Sequence, residues 1–338
     1  MATIKDVSRR TGLSISTISK YINGGNVRAE NRKLIEDAIQ SLDFKVNQAA
    51  RSLKTNRTMK VGILLPSLDV SFFAGIVADV EARLFENGYN AIICSFDHSP
   101  EQEKRKLEFL IDQQVDGVIL VAEHLTCQQI TAITAIREHT TPVVLLDRHV
   151  EGLQADYVLV DSESACRLAT EQLILNGHKR IGLIMGPPFI STARERRAGY
   201  LQALKEHCLE PDPALIKVGD YSINAGYTLF VELLDMARRP TAILGTNYEM
   251  TLGAVTAAFE RKLKIPQDVS FIGYDDTQLT QIINPPITIV VQPTEQMAAQ
   301  TASLLLKRMR GDYSDYPYMV PLKAGLMLHE SIAQIKTG

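Results

Sequence analysis

From Val61 onward the chain alternates short apolar runs with amphipathic stretches, and few folds accommodate that alternation. VGILLP, NAIICS, GVILVA, PVVLLD and DYVLVD read as strands, most of them continuously apolar, as parallel strands buried on both faces require. Helical patterns such as FFAGIVADVEARLFENG and PEQEKRKLEFLIDQQ lie between them. A second series follows: IGLIMG, LIKVGD, TAILGT, VSFIGYD and TIVVQ, separated by SACRLATEQLILNGH, ARERRAGYLQALKEH, AGYTLFVELLDMARR and EMTLGAVTAAFERKL. Gly88 and Gly177 fall where helices should stop. The pattern predicts an α/β body of two doubly wound parallel-sheet subdomains. Ligands of such folds sit beyond the carboxyl ends of the strands, here in a cleft between two lobes. The stretch TEQMAAQTASLLLKRM after TIVVQ is predicted to return to the first lobe, so the lobes need not be contiguous in sequence.

The first sixty residues have a different texture. TIKDVSRRTGLSISTISKYIN reads as two short helices joined by a tight turn. Thr3 and Asp6 have capping-box spacing, Ile4 and Val7 share a face, Gly12 breaks the helix and Ser14 offers a second N-cap. In the second helix Ile18 and Ile22 point inward while Ser16 and Lys20 point outward, the division a helix needs to enter a DNA major groove. ENRKLIEDAIQSL adds a third amphipathic helix with Leu34, Ile35, Ala38, Ile39 and Leu42 inward. Residues 43–60 form a polar, basic bridge. Within it QAARSLK is a helix too short to persist alone, ordering only against a partner chain or DNA.

Charge sharpens this division. Residues 1–60 hold twelve Lys or Arg against five Asp or Glu, whereas the remainder holds 24 against 34. A basic N-terminal segment on an acidic body is the electrostatic footprint of local nucleic-acid binding. No apolar run approaches a membrane span and Lys5, Asp6, Arg9 and Arg10 interrupt any signal-peptide core, so a cytoplasmic protein is expected. The four cysteines lack metal or redox spacing and are expected to act as small core hydrophobes. Neither phosphate-cradling glycine loops, GxSxG nor HExxH occurs, so no catalytic residue, cofactor or metal is expected.

Taken together, TIKDVSRRTGLSISTISKYIN, ARSLKT, NGHKRIG, GPP with TARERRAGY, QDVSFIGYDD and VQPTEQM resemble the lactose/galactose repressor family of bacterial transcription regulators, in order and over essentially the whole chain. The resemblance implies a helix-turn-helix DNA-binding headpiece at 1–46, a hinge helix and linker at 47–58, and a periplasmic-binding-protein-like core at 59–338. Within that core it implies an N-lobe at about 59–161 and 292–320 and a C-lobe at about 162–291 and 321–338. It further implies a transcription regulator, a repressor by the family's commoner mode, that binds a near-palindromic operator as a homodimer. A small carbohydrate-like effector between the lobes would modulate operator affinity. The alternatives are a soluble solute-binding protein without DNA regulation and a nucleotide-dependent enzyme. The basic N-terminal segment counts against the first, and the lack of a phosphate loop against the second.

Carried over by position, the family's base-reading residues fall on Ile15, Ser16 and Lys20. Lysine donates to guanine N7 and O6, and isoleucine meets a thymine methyl. Thr17 and Ser19 would meet phosphates, and Thr3, Ser14 and Lys54 complete the DNA-facing set. Asn47, Ala50 and Leu53 match hinge positions, with Leu53 as a minor-groove wedge; Val46 stands where the family often has proline. The effector positions fall on Phe73, Arg148, Thr192, Arg196, Tyr221, Asn247 and Asp275. Arg196 and Asp275 would offer hydroxyl groups a donor fork and an acceptor, or pair with each other across the cleft. Phe73 and Tyr221 offer apolar faces to a ring. In NYEM, Tyr248 replaces a carboxylate the family often uses for sugar hydroxyls, and Arg148 offers an anion such as a sugar phosphate a partner.

Overall fold

The computed structural model describes residues 2–22, 25–44, 57–135, 140–275 and 283–335. The expected hinge residues Asn47, Ala50, Leu53 and Lys54, and the QAARSLK helix, lie outside them. The chain divides into two compact units, residues 1–59 and 60–338.

The first unit is three helices, α1 (Ile4–Thr11), α2 (Ile15–Ile22) and α3 (Ala29–Ser41). The Asp6 carboxylate accepts from the Thr3 N–H at 2.9 Å and the Thr3 hydroxyl at 2.7 Å, closing the capping box. Gly12 ends α1 at φ 67°, in the left-handed region where the missing Cβ matters. Ser14 accepts the Thr17 N–H at 3.2 Å and caps α2. Val7, Ile18, Ile35 and Ala38 form the buried centre, with Ile4, Leu13, Ile22, Ile39 and Leu42 around it. Leu34, expected inward, is 49 % exposed. Ile35, Ala38, Ile39 and Leu42 already fill the stripe that meets α1 and α2, and Leu34 falls at its edge.

The second unit holds two six-stranded sheets. The first comprises β1 (Lys60–Leu65), β2 (Asn90–Ser95), β3 (Gly117–Leu120), β4 (Val143–Leu146), β5 (Asp156–Val160) and β11 (Met319–Leu322), in the order β11-β5-β4-β3-β1-β2 with all pairings parallel. Its helices are α4 (Ser71–Glu86), α5 (Pro100–Asp112), α6 (Cys127–Thr134) and α11 (Thr294–Met309). The second sheet comprises β6 (Ile181–Met185), β7 (Ile216–Val218), β8 (Ala242–Gly245), β9 (Ser270–Tyr274), β10 (Thr288–Val291) and β12 (Gly325–Met327), ordered β12-β10-β9-β8-β6-β7. Only the β12–β10 pairing in it is antiparallel. Its helices are α7 (Ser162–Leu175), α8 (Ser191–Glu206), α9 (Ile223–Leu234) and α10 (Tyr248–Glu260).

All ten strands expected from apolar runs are present. β11 and β12 were not expected: MVPL carries a proline and GLM is three residues long, and both strands lie at sheet edges, where neither a proline nor a weak pattern is excluded. α11 packs on α4 and on β3, β4 and β5, so the chain does return to the first lobe after β10. It passes between lobes three times, after β5, between β10 and α11, and between β11 and β12.

Two fastenings hold the late segments. Arg308 of α11 donates to both carboxylate oxygens of Asp156 at 2.7 and 3.0 Å, with both side chains fully buried. Residues 329–335 strap the second sheet: the Ser331 hydroxyl accepts the Thr288 N–H at 2.9 Å, and the His178 ring bridges Thr241 Oγ1 and the Ala333 carbonyl at 2.9 and 3.1 Å. His178 is thus a buried pin. Cys166 is a core residue, whereas Cys208, just past the end of α8, is exposed and departs from the expected core role.

Candidate functional site

Parallel strands end where their loops must turn, and in the second unit those ends converge on a cleft of about 500 Å³, counting its open mouth. The start of α4 contributes Val70, Phe72 and Phe73, the loop after β2 His98, and the end of β4 Asp147 and Arg148. The other lobe contributes Thr192 and Arg196 from α8, Tyr221 after β7, Asn247 and Glu249 around the start of α10, and Asp275 after β9. Gln292 lines the cleft from the second passage between lobes.

All seven core positions named from the sequence therefore meet in one cavity. Six residues were not named: Val70, Phe72, His98, Asp147, Glu249 and Gln292. Asp147, beside the named Arg148 at a strand end, carried a usable signal. Glu249 supplies a carboxylate one residue after Tyr248, so the departure at NYEM does not deprive the cleft of that group.

The backbone is held in unusual conformations here. Asp147, Tyr221 and Asp275 have φ of 67°, 67° and 75°, left-handed values uncommon outside glycine, each at a point where the chain turns along the cleft wall. Gly186, at the end of β6, lies against the Tyr221 ring, and a Cβ there would fall inside it. The ring can occupy the wall only because position 186 has no side chain.

Polar atoms converge with little company. Arg196 donates to the Thr246 carbonyl, and its guanidinium lies 4.2 Å from the Tyr274 ring centre. Asp275 accepts from Gln292 Nε2 at 2.6 Å. The cross-cleft Arg196–Asp275 pairing weighed in the sequence is thus replaced by two separate arrangements. Asp147 Oδ1, Arg148 Nε and Nη1, Arg196 Nε and Gln292 Oε1 are buried without a hydrogen-bond partner among the described residues. Such groups are costly unless something binds them. Asn247 differs. Its Oδ1 accepts the Met250 N–H at 3.2 Å, and Nδ2 donates to the Tyr221 carbonyl at 3.2 Å and Glu249 Oε2 at 2.7 Å. With both amide hydrogens used, Asn247 braces the wall.

Burial pushes the Asp275 carboxyl up to about 6 against the pull of Arg196. It also raises Asp147, although Arg148 and Arg196 oppose the shift. Apolar faces complete the wall, with Phe72 and Phe73 in edge contact at 5.1 Å and the Arg148 guanidinium 5.9 Å from the Phe73 ring centre. Among the described residues no group of three His, Cys, Asp or Glu could hold a metal ion, and no helix is long and apolar enough to cross a membrane.

On the first unit, α2 presents a second candidate surface. Ser14, Ile15, Ser16 and Lys20 are exposed and Thr17 and Ser19 half-buried, while Ile18 is fully buried on the opposite face. Thr3 is exposed at the start of α1.

Residues 3–47 match the family described as bacterial regulatory proteins, lacI family, and residues 58–315 match periplasmic binding proteins and the sugar binding domain of the LacI family. The chain belongs to the LacI family. It is 33 % identical over 337 residues to the HTH-type transcriptional repressor PurR of Actinobacillus pleuropneumoniae serotype 3 (strain JL03), covering 99 % of each chain. The PurR of Pasteurella multocida (strain Pm70) is 32 % identical, with 98 % of this chain and 99 % of that one covered. Among solved LacI-type structures, the lac repressor dimer bound to operator and the anti-inducer ONPF superposes with a TM-score of 0.86 at 27 % identity, covering 98 % and 99 % of the two chains. The transcriptional regulator CelR–cellobiose complex gives 0.72 at 31 % identity, covering 98 % and 100 %. Like its LacI-family relatives, this chain is a DNA-binding transcription regulator modulated by an effector, and not an enzyme.

Proposed function

We propose that this regulator is a cytoplasmic, homodimeric repressor of a near-palindromic operator, and that a carbohydrate-like effector in the lobe cleft sets its operator affinity. The observation that carries the effector reading is the set of buried donors and acceptors without partners on both walls, next to two aromatic faces. A hydroxyl group both donates and accepts, so a polyhydroxylated ring can answer Asp147, Arg148, Arg196 and Gln292 at once while its apolar face meets Phe73 or Tyr221. CelR, in the comparison above, is complexed with cellobiose.

For DNA, the reading assigns Ile15, Ser16 and Lys20 to base edges and Thr17 and Ser19 to phosphates, with Thr3, Ser14 and the hinge residues Asn47, Ala50, Leu53 and Lys54 completing the contacts. Domain roles follow the same reading, with 1–46 as headpiece, 47–58 as hinge and 59–338 as core. Homodimerisation is supported by exposed apolar side chains near one pair of sheet edges: Ile93 on β2 and Phe109 on α5, then Val218 on β7 and Ile223 at the start of α9. Exposed edge strands call for cover.

The test is a thermal-shift panel of mono- and disaccharides and their phosphates on the full chain, followed by gel shifts with genomic fragments. A stabilising sugar that changes selective DNA binding is expected. No stabilisation by any carbohydrate, or DNA binding indifferent to every stabilising compound, rejects the effector reading.

A further inference from the structure

Arg148 contributes a buried guanidinium to the cleft wall, yet two carboxylates already answer its charge. Glu123 Oε2 lies 3.4 Å from Nη1 and Asp147 Oδ2 lies 3.7 Å from Nε, with all three side chains at most 6 % exposed. The nearer carboxylate is itself held in place. His98 Nδ1 sits 3.1 and 3.0 Å from the two Glu123 oxygens. Beneath the loop the fully buried Glu103 carboxylate accepts the N–H groups of Glu123 and His124, each at 2.7 Å. Two carboxyl groups within 4 Å of one guanidinium, all withdrawn from water, oppose an incoming anion at least as strongly as the arginine attracts it. Arg148 can still donate, because neither Nε nor Nη1 has a hydrogen-bond partner among the described residues. Burial raises the proton affinity of Asp147, so Glu123 is the carboxylate left to offset the guanidinium, and Arg148 has donors to offer without net positive charge.

We propose that Glu123 is a specificity-determining residue that cancels the charge of Arg148, so that the cleft accepts neutral hydroxyl or carbonyl groups and excludes phosphate and carboxylate. This rests on the cleft being the effector site and narrows the effector to an uncharged carbohydrate. It also reverses the sequence expectation that Arg148 admits a sugar phosphate. His98 tunes the exclusion. Its neighbours are Glu123, Arg148, the adjacent Asp97, His124, whose Nε2 lies 3.1 Å from the His98 carbonyl, and, from the loop after β7 in the opposite lobe, Asp220. The Glu123 hydrogen bond holds the His98 proton above the usual histidine range. A protonated His98 adds positive charge beside Arg148, so exclusion should relax as pH falls.

Sulfate is the probe, since its charge is constant across the range and its use needs no knowledge of the effector. In titration calorimetry on the full chain at pH 8 and fixed ionic strength, Glu123→Gln should bind sulfate about tenfold more tightly than the parent or better. Adding Arg148→Met should abolish the gain. Equal sulfate affinity in parent and Glu123→Gln overturns the proposal, as does a gain that survives loss of Arg148. A gain through Arg148 in a chain that no sugar stabilises supports the proposal while rejecting the carbohydrate reading, which keeps the two failures separate. If Glu123→Gln does not fold, the parent carries the test alone: sulfate affinity should rise from pH 8 to pH 6, and His98→Gln should flatten the rise. An identical rise in His98→Gln overturns it.

Discussion

At Asp275 the proposed role in binding and the demands of folding oppose each other. Its carboxyl is buried with a value near 6, against an ordinary 3.8, so the folded chain holds this proton more tightly than the unfolded chain does. Ionising it therefore costs stability. The cost is absent below about pH 4, grows between 4 and 6 and levels off above. Asparagine keeps an acceptor and tolerates the left-handed backbone at this position. Asp275→Asn should therefore raise thermal stability at pH 7.5 by up to about 3 kcal/mol, with the gain fading towards pH 4.5, while the effector response is lost. Melting curves at the two pH values check this, and a lower melting temperature at pH 7.5 would count against it. Arg196→Ala removes the donor stacked on Tyr274, and should leave operator binding within about threefold of the parent while abolishing the effector response. Gel shifts with and without a stabilising sugar decide the point, and a retained response would misplace the pocket. Gly186→Ala acts through its neighbour. The new Cβ must displace the Tyr221 ring, so effector affinity should fall at least about tenfold, read by calorimetry.

At the scale of elements, α2 divides into a buried face that holds the unit together and an exposed face to which base reading is assigned above. Ile18→Ala removes a fully buried side chain from a three-helix core, and should cost about 2–5 kcal/mol, enough to unfold a unit this small while the body still melts normally. Lys20→Ala should cost about 1–3 kcal/mol of operator binding and relax preference at one base position. A loss uniform across sequences would make Lys20 a phosphate contact. Elements of this kind were legible because their signals are local: a cap three residues from its partner, a glycine at a helix end, an apolar run between turns. Ten strands declared themselves that way. β11 and β12 did not, because an edge strand with a proline or only three residues carries no distinctive pattern. Seven wall residues of the cleft came through the family resemblance. His98 and Gln292 stayed hidden because their place depends on backbone turns and lobe passages that no local pattern encodes. Leu34 failed for a related reason, since periodicity gives a stripe but not where its partner helices stop.

For the whole molecule, three passages between lobes leave relative rotation as the natural motion. A ligand touching both walls biases that rotation only by its differential affinity for the open and closed forms. By linkage, an effector that weakens operator binding must itself be weakened by operator to the same extent. The strap at 329–335 predicts a pH effect of the opposite kind from Asp275. Burial lowers the His178 proton affinity, so stability is full above the ordinary histidine value near 6.5 and declines as pH falls below it. His178→Gln should weaken that decline in melts between pH 7 and 5.5, and an unchanged slope would reject the assignment.

The passages also order events in time. Synthesis delivers α1 to α3 before the body, as a unit with its own buried centre, and delivers α11, β11 and β12 after the other elements of both sheets. Until those segments leave the ribosome, the first sheet lacks its outer strand and Asp156 lacks Arg308, a buried carboxylate without its counter-charge. A nascent or prematurely terminated chain is therefore a folded helix-turn-helix unit attached to a body whose first sheet is unfinished. Control waits on those late segments.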